Sequence, residues 1–147
     1  MCTKIIKIMS LFFIINFSSL SFANSSDELL YHCPNYNDIK YSDWMRGYFD
    51  AKTNYNGLSV VWHSLNRFED ANATITGFNL VLREDCSGGR CKVACVYSSS
   101  KGSMVRLNAH YTVHSYKTAD GNWDNRGTLC EGSSPEICKF YLVNDGI

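Results

Sequence analysis

Residues 104–116 read MVRLNAHYTVHSY. Val105, Leu107, Ala109, Tyr111 and Val113 alternate with Arg106, Asn108, His110, Thr112 and His114. Successive side chains of an extended chain point to opposite faces of a sheet. The pattern therefore predicts one half-buried strand, apolar toward a core and polar toward water. The same period recurs on either side of it. GYFDAKT (47–53) and LSVVWHS (58–64) flank Asn-Tyr-Asn-Gly. The Asn-Gly pair suits a tight hairpin, whose central positions need positive φ. Within 58–64, Leu58, Val60 and Trp62 share one face, and Ser59, Val61 and His63 share the other. TITGFNLVLR (74–83) places Phe78, Leu80 and Leu82 in phase and Ile75 out of phase. Gly77 lies between, where a bulge would restore the parity. CKVACVYSS (91–99), NWDNRGTLC (122–130) and CKFYLV (138–143) complete the set. No window carries a helical period over a dozen residues. The reading is an all-β fold, a single antiparallel β-sandwich or small barrel of about seven to eight strands. Alternation does not separate the sandwich from the barrel.

The chain of 147 residues opens MCTKIIKIMSLFFIINFSSLSFANSS. Lys4 and Lys7 form a short basic region at the head of a mostly apolar run, Ile5 to Phe22, that ends in Ser-Phe-Ala. This predicts a secretory signal peptide over residues 1–23, cleaved after Ala23, rather than a membrane span. Residues 24–147 would then form a single secreted or periplasmic β domain, with no membrane insertion after cleavage. The leader holds two of the 14 basic residues and none of the 14 acidic ones, so the mature domain carries a net charge of −2. Its basic residues are scattered singly. That balance gives no electrostatic footprint for nucleic acid or an anionic membrane.

Of the seven cysteines, Cys2 falls in the leader. The remaining six form an even set on an exported chain, which reads as three disulfides. The count alone does not choose among the possible pairings. Local geometry favours Cys86–Cys91 across Ser-Gly-Gly-Arg and Cys130–Cys138 across Glu-Gly-Ser-Ser-Pro-Glu-Ile, which leaves Cys33–Cys95. The spacing of Cys86, Cys91 and Cys95 does not match a zinc site, and an even count supplies no catalytic thiol.

DGNWDNRGTLCE (120–131) puts Asp120, Asn122 and Asp124 at the first three ligand positions of a calcium loop and Glu131 at its closing position. Its flanks are not helical: a strand pattern precedes it, and Gly132 and Pro135 follow. The expected outcome is a hairpin with Asp120-Gly121 as the turn pair and Trp123 opening the return strand. No metal or cofactor is expected. His110 and His114 on one strand would stand about 13 Å apart, too far to share an ion. Glu84 and Asp85 are adjacent and would point to opposite sides of a strand. Asn72-Ala73-Thr74 matches a glycosylation sequon. No nucleophile-elbow, zinc-protease or phosphate-loop motif occurs. Aromatics are the remaining lead. Trp62 belongs to a core face. Trp44, Tyr55 and Tyr116 sit among polar residues or in outward phase, and Arg90 lies at the tip of the Cys86–Cys91 loop. Those four residues form the candidate binding surface.

The motifs CPNYNDIKY (33–41), GYFDAK (47–52), VVWHS (60–64), ITGFNLV (75–81), VACVY (93–97) and a closing GNW…C…SSPEICKF resemble a domain-of-unknown-function family of short, signal-peptide-bearing secreted bacterial proteins. The resemblance covers most of the mature chain. It implies an exported, small, β-rich protein, transfers no catalytic residue, and marks Cys33, Cys95, Trp123, Cys130 and Cys138 as scaffold positions. The Cys86–Cys91 segment departs from the pattern. The function expected is a non-enzymatic binding or inhibitory module for a protein or glycan partner. The alternatives are an exported hydrolase with an unrecognised site and a structural envelope component.

Overall fold

The structure is a computed structural model and describes residues 29–42, 47–55, 57–68 and 72–144. The leader segment and Trp44 lie outside the described residues. Ten strands appear in chain order: β1 (Leu29–Tyr31), β2 (Lys40–Tyr41), β3 (Phe49–Tyr55), β4 (Leu58–Ser64), β5 (Ile75–Ser87), β6 (Arg90–Ser99), β7 (Met104–Ala109), β8 (Val113–Gly121), β9 (Leu129–Glu131) and β10 (Cys138–Asn144). Two single 3-10 turns, Tyr36–Asp38 and Pro135–Ile137, are the only helical pieces among the described residues. No helix there is long and apolar enough to cross a membrane.

Every ladder is antiparallel, and β6 is the pivot. β5 pairs along one edge of it, from Ile75 opposite Ser99 to Ser87 opposite Arg90. Two strands share the other edge: β7 pairs with Ala94–Ser98, and β8 joins at Cys91 opposite Ser115. Two arms leave β6 from there, β7–β4–β3–β2 and β8–β10–β1. They curl until their ends touch. The Tyr31 hydroxyl donates to the Tyr55 carbonyl at 3.4 Å, and the two rings meet edge to face at 4.9 Å. The result is a curled antiparallel half-barrel, whose seam is closed by side chains.

The concave face holds the core. Val93, Cys95 and Tyr97 from β6, Val105 and Leu107 from β7, Val60 and Trp62 from β4, Phe140 from β10 and Tyr31 are essentially buried. Each such large apolar side chain contributes ~1.5–3 kcal/mol relative to exposure. Two large side chains take polar atoms inside and bond them there. Trp62 Nε1 donates to Thr53 Oγ1 at 2.9 Å, and the Tyr97 hydroxyl donates to the Pro34 carbonyl at 2.7 Å. Three disulfides staple the sheet: Cys33–Cys95, Cys86–Cys91 and Cys130–Cys138. Cys33–Cys95 is fully buried and ties the segment after β1 to the pivot strand.

Three strand readings need correction. The run 104–116 is two strands, not one. Ala109 still pairs with Trp62 of β4, but Val113 pairs with Asn144 of β10. The chain must pass from one arm to the other, and it does so in a tight turn in which Val113 N–H donates to the His110 carbonyl at 2.8 Å. Val105, Leu107 and Val113 point inward as the alternation requires, but Tyr111, expected on the same face, falls in the turn and is exposed. His110 and His114 consequently stand on opposite sides of that turn.

In β5 the register shifts near Gly77 as expected. It shifts again between Phe78 and Leu80, where Asn79 is the extra residue. This second bulge makes Val81, not Leu80 or Leu82, the fully buried residue. The third correction concerns Asp120-Gly121, which does not turn a hairpin: β8 runs through to Gly121. A Cβ on Gly121 would collide with the Ile137 carbonyl oxygen, so this glycine serves a close backbone approach. The reversal comes later, where Asp124 N–H donates to the Leu129 carbonyl at 2.7 Å and Gly127 takes φ of 64°. The return strand β9 then pairs with β5 instead of β8, and Trp123 forms only an isolated bridge to Cys130.

Candidate functional site

The β10–β8 ladder has two register shifts. Tyr141 pairs with Lys117 but Leu142 with Ser115, so Tyr116 is an extra residue on β8. Cys138 pairs with Gly121 but Phe140 with Thr118, so a second extra residue falls at Ala119–Asp120. A bulge sets two residues against one and re-aims a side chain that strict alternation would send to the other face. Here the first bulge brings the Tyr116 and Tyr141 rings to 6.0 Å and lays the Lys117 ammonium 4.4 Å from the Tyr141 centroid and 5.6 Å from that of Tyr116. An ammonium over a ring face is attracted by the ring quadrupole.

A cleft of about 610 Å³ opens beside this cluster, floored by Lys117–Asp120 of β8, Lys139 and Tyr141 of β10, and Leu30 of β1. Four consecutive residues of one strand can line one cleft because that strand is bulged. The rim is the Pro135–Ile137 turn, which supplies Glu136. That turn is fixed from below: Cys130, Cys138 and Pro135 are buried. The Glu136 carboxyl is held below the usual carboxylate range, first by the Ser134 hydroxyl, which donates at 2.6 Å, then by a backbone N–H, with smaller help from His32 and Lys139. It stays ionised at neutral pH. The cleft thus offers two ammonium groups, two carboxylates, two hydroxyls and an aromatic wall.

Of the residues expected to form a binding surface, Tyr116 belongs to this cluster. Tyr55 does not. It is half-buried at the seam, where its hydroxyl lies 2.5 Å from His32 Nε2 while His32 Nδ1 sits 2.7 Å from the Cys33 carbonyl. The carbonyl can only accept, so Nδ1 carries a hydrogen there. Burial, and then the charges of Glu136 and Asp38, push the Tyr55 phenol up to about 12. Arg90 is exposed at the tip of the β5–β6 hairpin, whose turn is Gly88-Gly89 with φ of 57° and 78°. It does not line the cleft. Asp85, just before the Cys86–Cys91 loop, pairs with Lys92 at 2.9 Å, while Glu84 pairs with Arg106.

The calcium-loop residues do not converge. Asp120 lines the cleft, Asn122 Nδ2 donates to the Glu131 carbonyl at 3.3 Å, and the Asp124 carboxylate accepts from Thr128 N–H, Thr128 Oγ1 and Leu129 N–H. Among the described residues no group of three or more His, Cys, Asp or Glu is placed to hold a metal ion.

Lys117, Lys139, Tyr141 and Glu136 were not among the residues singled out from sequence. Lys139 and Tyr141 alternate with buried Cys138, Phe140 and Leu142, and that signal could have placed them outward. Lys117 follows Tyr116 directly, so only the bulge puts both on one side.

A second cleft, of about 620 Å³, lies on the outer face of the other arm and is lined by Asp38, Lys40, Tyr41, Asp50, Lys52 and His63 among others. There His63 Nδ1 sits 2.8 Å from Asp50 Oδ1 across the β3–β4 pair. Compared with protein-family models, with curated proteins and with solved structures, the chain matches none of them. The resemblance to short secreted bacterial proteins accordingly rests on the motifs quoted above.

Proposed function

We propose that this protein is an exported, non-enzymatic binding module whose glycan or protein ligand docks in the cleft between β8, β10 and the Pro135–Ile137 turn. One observation carries the reading: the bulge at Tyr116 gathers Tyr116, Lys117 and Tyr141 on the outer face. Amphipathic rings beside charged groups give contact area together with orienting hydrogen bonds. Export is supported by three disulfides, which persist in oxidising compartments, and by the leader pattern of residues 1–23. The test is to screen the oxidised domain, as wild type and as Tyr116→Ala/Tyr141→Ala, on glycan and peptide arrays. Ligands retained by the wild type and lost by the double variant, with both proteins folded, support the reading. Equal retention refutes it.

The Asp50–His63 pair favours the hydrolase as a second reading, because a carboxylate on one imidazole nitrogen orients the other toward the cleft as a general base. Turnover of fluorogenic esters or glycosides that disappears in His63→Gln would establish it. Absence of turnover in the wild type counts against it.

A further inference from the structure

We infer that the ligand of the β8–β10 cleft is a neutral oligosaccharide; the inference rests on the binding reading above and narrows it to one chemical class. Lys117 and Lys139 face Asp120 and Glu136 around one cleft, so the lining has no net charge. An anionic ligand attracted by the two ammonium groups would meet two carboxylates, and a cationic ligand would meet the reverse. Like-charge juxtaposition at close range is strongly unfavourable. A wholly apolar ligand would strip water from four ionised groups and return no hydrogen bonds.

A sugar hydroxyl escapes all three penalties, because it donates one hydrogen bond and accepts others. It can give to Asp120 or Glu136 and take from Lys117 or Lys139. The Thr118 and Tyr141 hydroxyls match it in either sense. Glu136 is already ionised and fixed in place by Ser134, so it stands ready as an acceptor. The apolar part of the lining, the Tyr141 and Leu30 side chains, suits the C–H faces of a pyranose ring. Lys117 lies over the Tyr141 ring, and its long flexible stem lets the ammonium swing aside and donate to a hydroxyl once a sugar takes its place. A cleft of about 610 Å³ is within the range of small-molecule sites and takes a ligand of a few rings. A peptide could use the same rings, but a charged side chain or terminus would meet the repulsion just described.

The experiment is calorimetric titration of the oxidised domain with triacetylchitotriose and maltotriose, both neutral, and with trigalacturonate, an acidic trisaccharide. The expected result is binding of a neutral sugar and not of the acidic one. Tyr141→Ala and Lys117→Gln should each weaken it roughly tenfold or more, and Arg90→Ala should leave it unchanged. Circular dichroism melts of the variants separate lost binding from lost fold, and Tyr141→Phe, which keeps the ring, should retain most of the affinity. Binding of trigalacturonate alone overturns the inference, as does no response to either neutral sugar at about 10 mM. In those two cases the arrays decide the wider reading: a peptide or acidic glycan lost in Tyr116→Ala/Tyr141→Ala keeps the cleft and discards the neutral sugar. A neutral sugar that binds Tyr141→Ala and Lys117→Gln as tightly as wild type discards the cleft itself.

Discussion

The two arms that leave β6 differ in regularity. In β7–β4–β3 the ladders run without a register shift. The outer polar groups of that arm pair with each other: Asp50 holds His63, Arg106 grips Glu84 of β5 with both terminal nitrogens, and Arg106 Nε donates to Asn108 Oδ1 at 3.0 Å. In β8–β10–β1 the ladder is shifted twice and the outer face gathers Tyr116, Lys117 and Tyr141 beside a cleft; the even arm has an outer cleft too, but its Asp50 and His63 are held by each other. A regular ladder lets outer charges satisfy one another at cross-strand spacing. A bulged ladder breaks that spacing and turns neighbouring side chains to one side. On the function proposed above, this difference is a division of labour, with stability on the even arm and recognition on the uneven one.

The division can be broken most severely where the end of the uneven arm is tied back to the pivot strand. Replacing Cys33 and Cys95 with Ala removes a crosslink between residues 62 apart. On the chain-entropy account this costs about 4 kcal/mol in denaturant unfolding. Removing Cys86–Cys91, which spans only 5 residues at the hairpin tip, costs about 2 kcal/mol. Equal losses would contradict the loop-length account and the stapling role of the buried bridge.

Next in size is the glycine under the cleft rim. Gly121→Ala forces a methyl group against the Ile137 carbonyl and should destabilise by about 2 kcal/mol. Gly57→Ala in the hairpin of the even arm meets nothing within 4 Å and suffers only its φ of 88°, at about 1 kcal/mol. Thermal melts of the pair sharpen the comparison, and the reverse order would show that the rim is not held by this approach.

A smaller, pH-gated loss belongs to the seam. Burial, then the neighbouring Tyr55 phenolate, raises the Tyr31 phenol to about 12; burial, then Glu136 and Asp38, does the same to Tyr55. Unfolded tyrosines ionise near 10, so the unfolded chain releases these protons first. The stability they support is complete below about pH 10 and drains away as pH rises toward about 12. Tyr31→Phe should remove part of that alkaline loss, read by urea midpoints across this range. In acid the sign is opposite. Backbone and hydroxyl hydrogen bonds from Thr128, with Leu129 N–H, hold the Asp124 carboxyl below its usual value, so its contribution is present above about pH 4 and fades as the pH falls through the lowered value. The smallest effect is at the hairpin tip. Arg90→Ala should leave stability within about 0.5 kcal/mol of wild type.

The even arm was legible in the sequence and the uneven one was not. Val60 and Trp62 point inward as their alternation requires, and Gly57 takes φ of 88° just before Leu58, which pairs with Tyr55. The three bridges are those that loop geometry favours. The break at His110–Thr112 left no mark because it contains neither glycine nor proline and keeps the phase of its flanks. Asp120-Gly121 has turn chemistry, yet Gly121 serves a backbone contact with a residue 16 positions away, which no local pattern reports. Tyr116 was readable as an outward aromatic. Its grouping with Lys117 and Tyr141 depends on one unpaired residue, and alternation is blind to that.

The central claim is that recognition belongs to the bulged arm. It is tested most directly by chemical-shift mapping of the isotope-labelled, oxidised domain against ligands retained on the glycan and peptide arrays. The account predicts perturbed amides concentrated in 115–121 and 134–141, with 50–63 and 104–109 unmoved. Perturbations centred on Asp50 and His63, or on the Cys86–Cys91 tip, would contradict it.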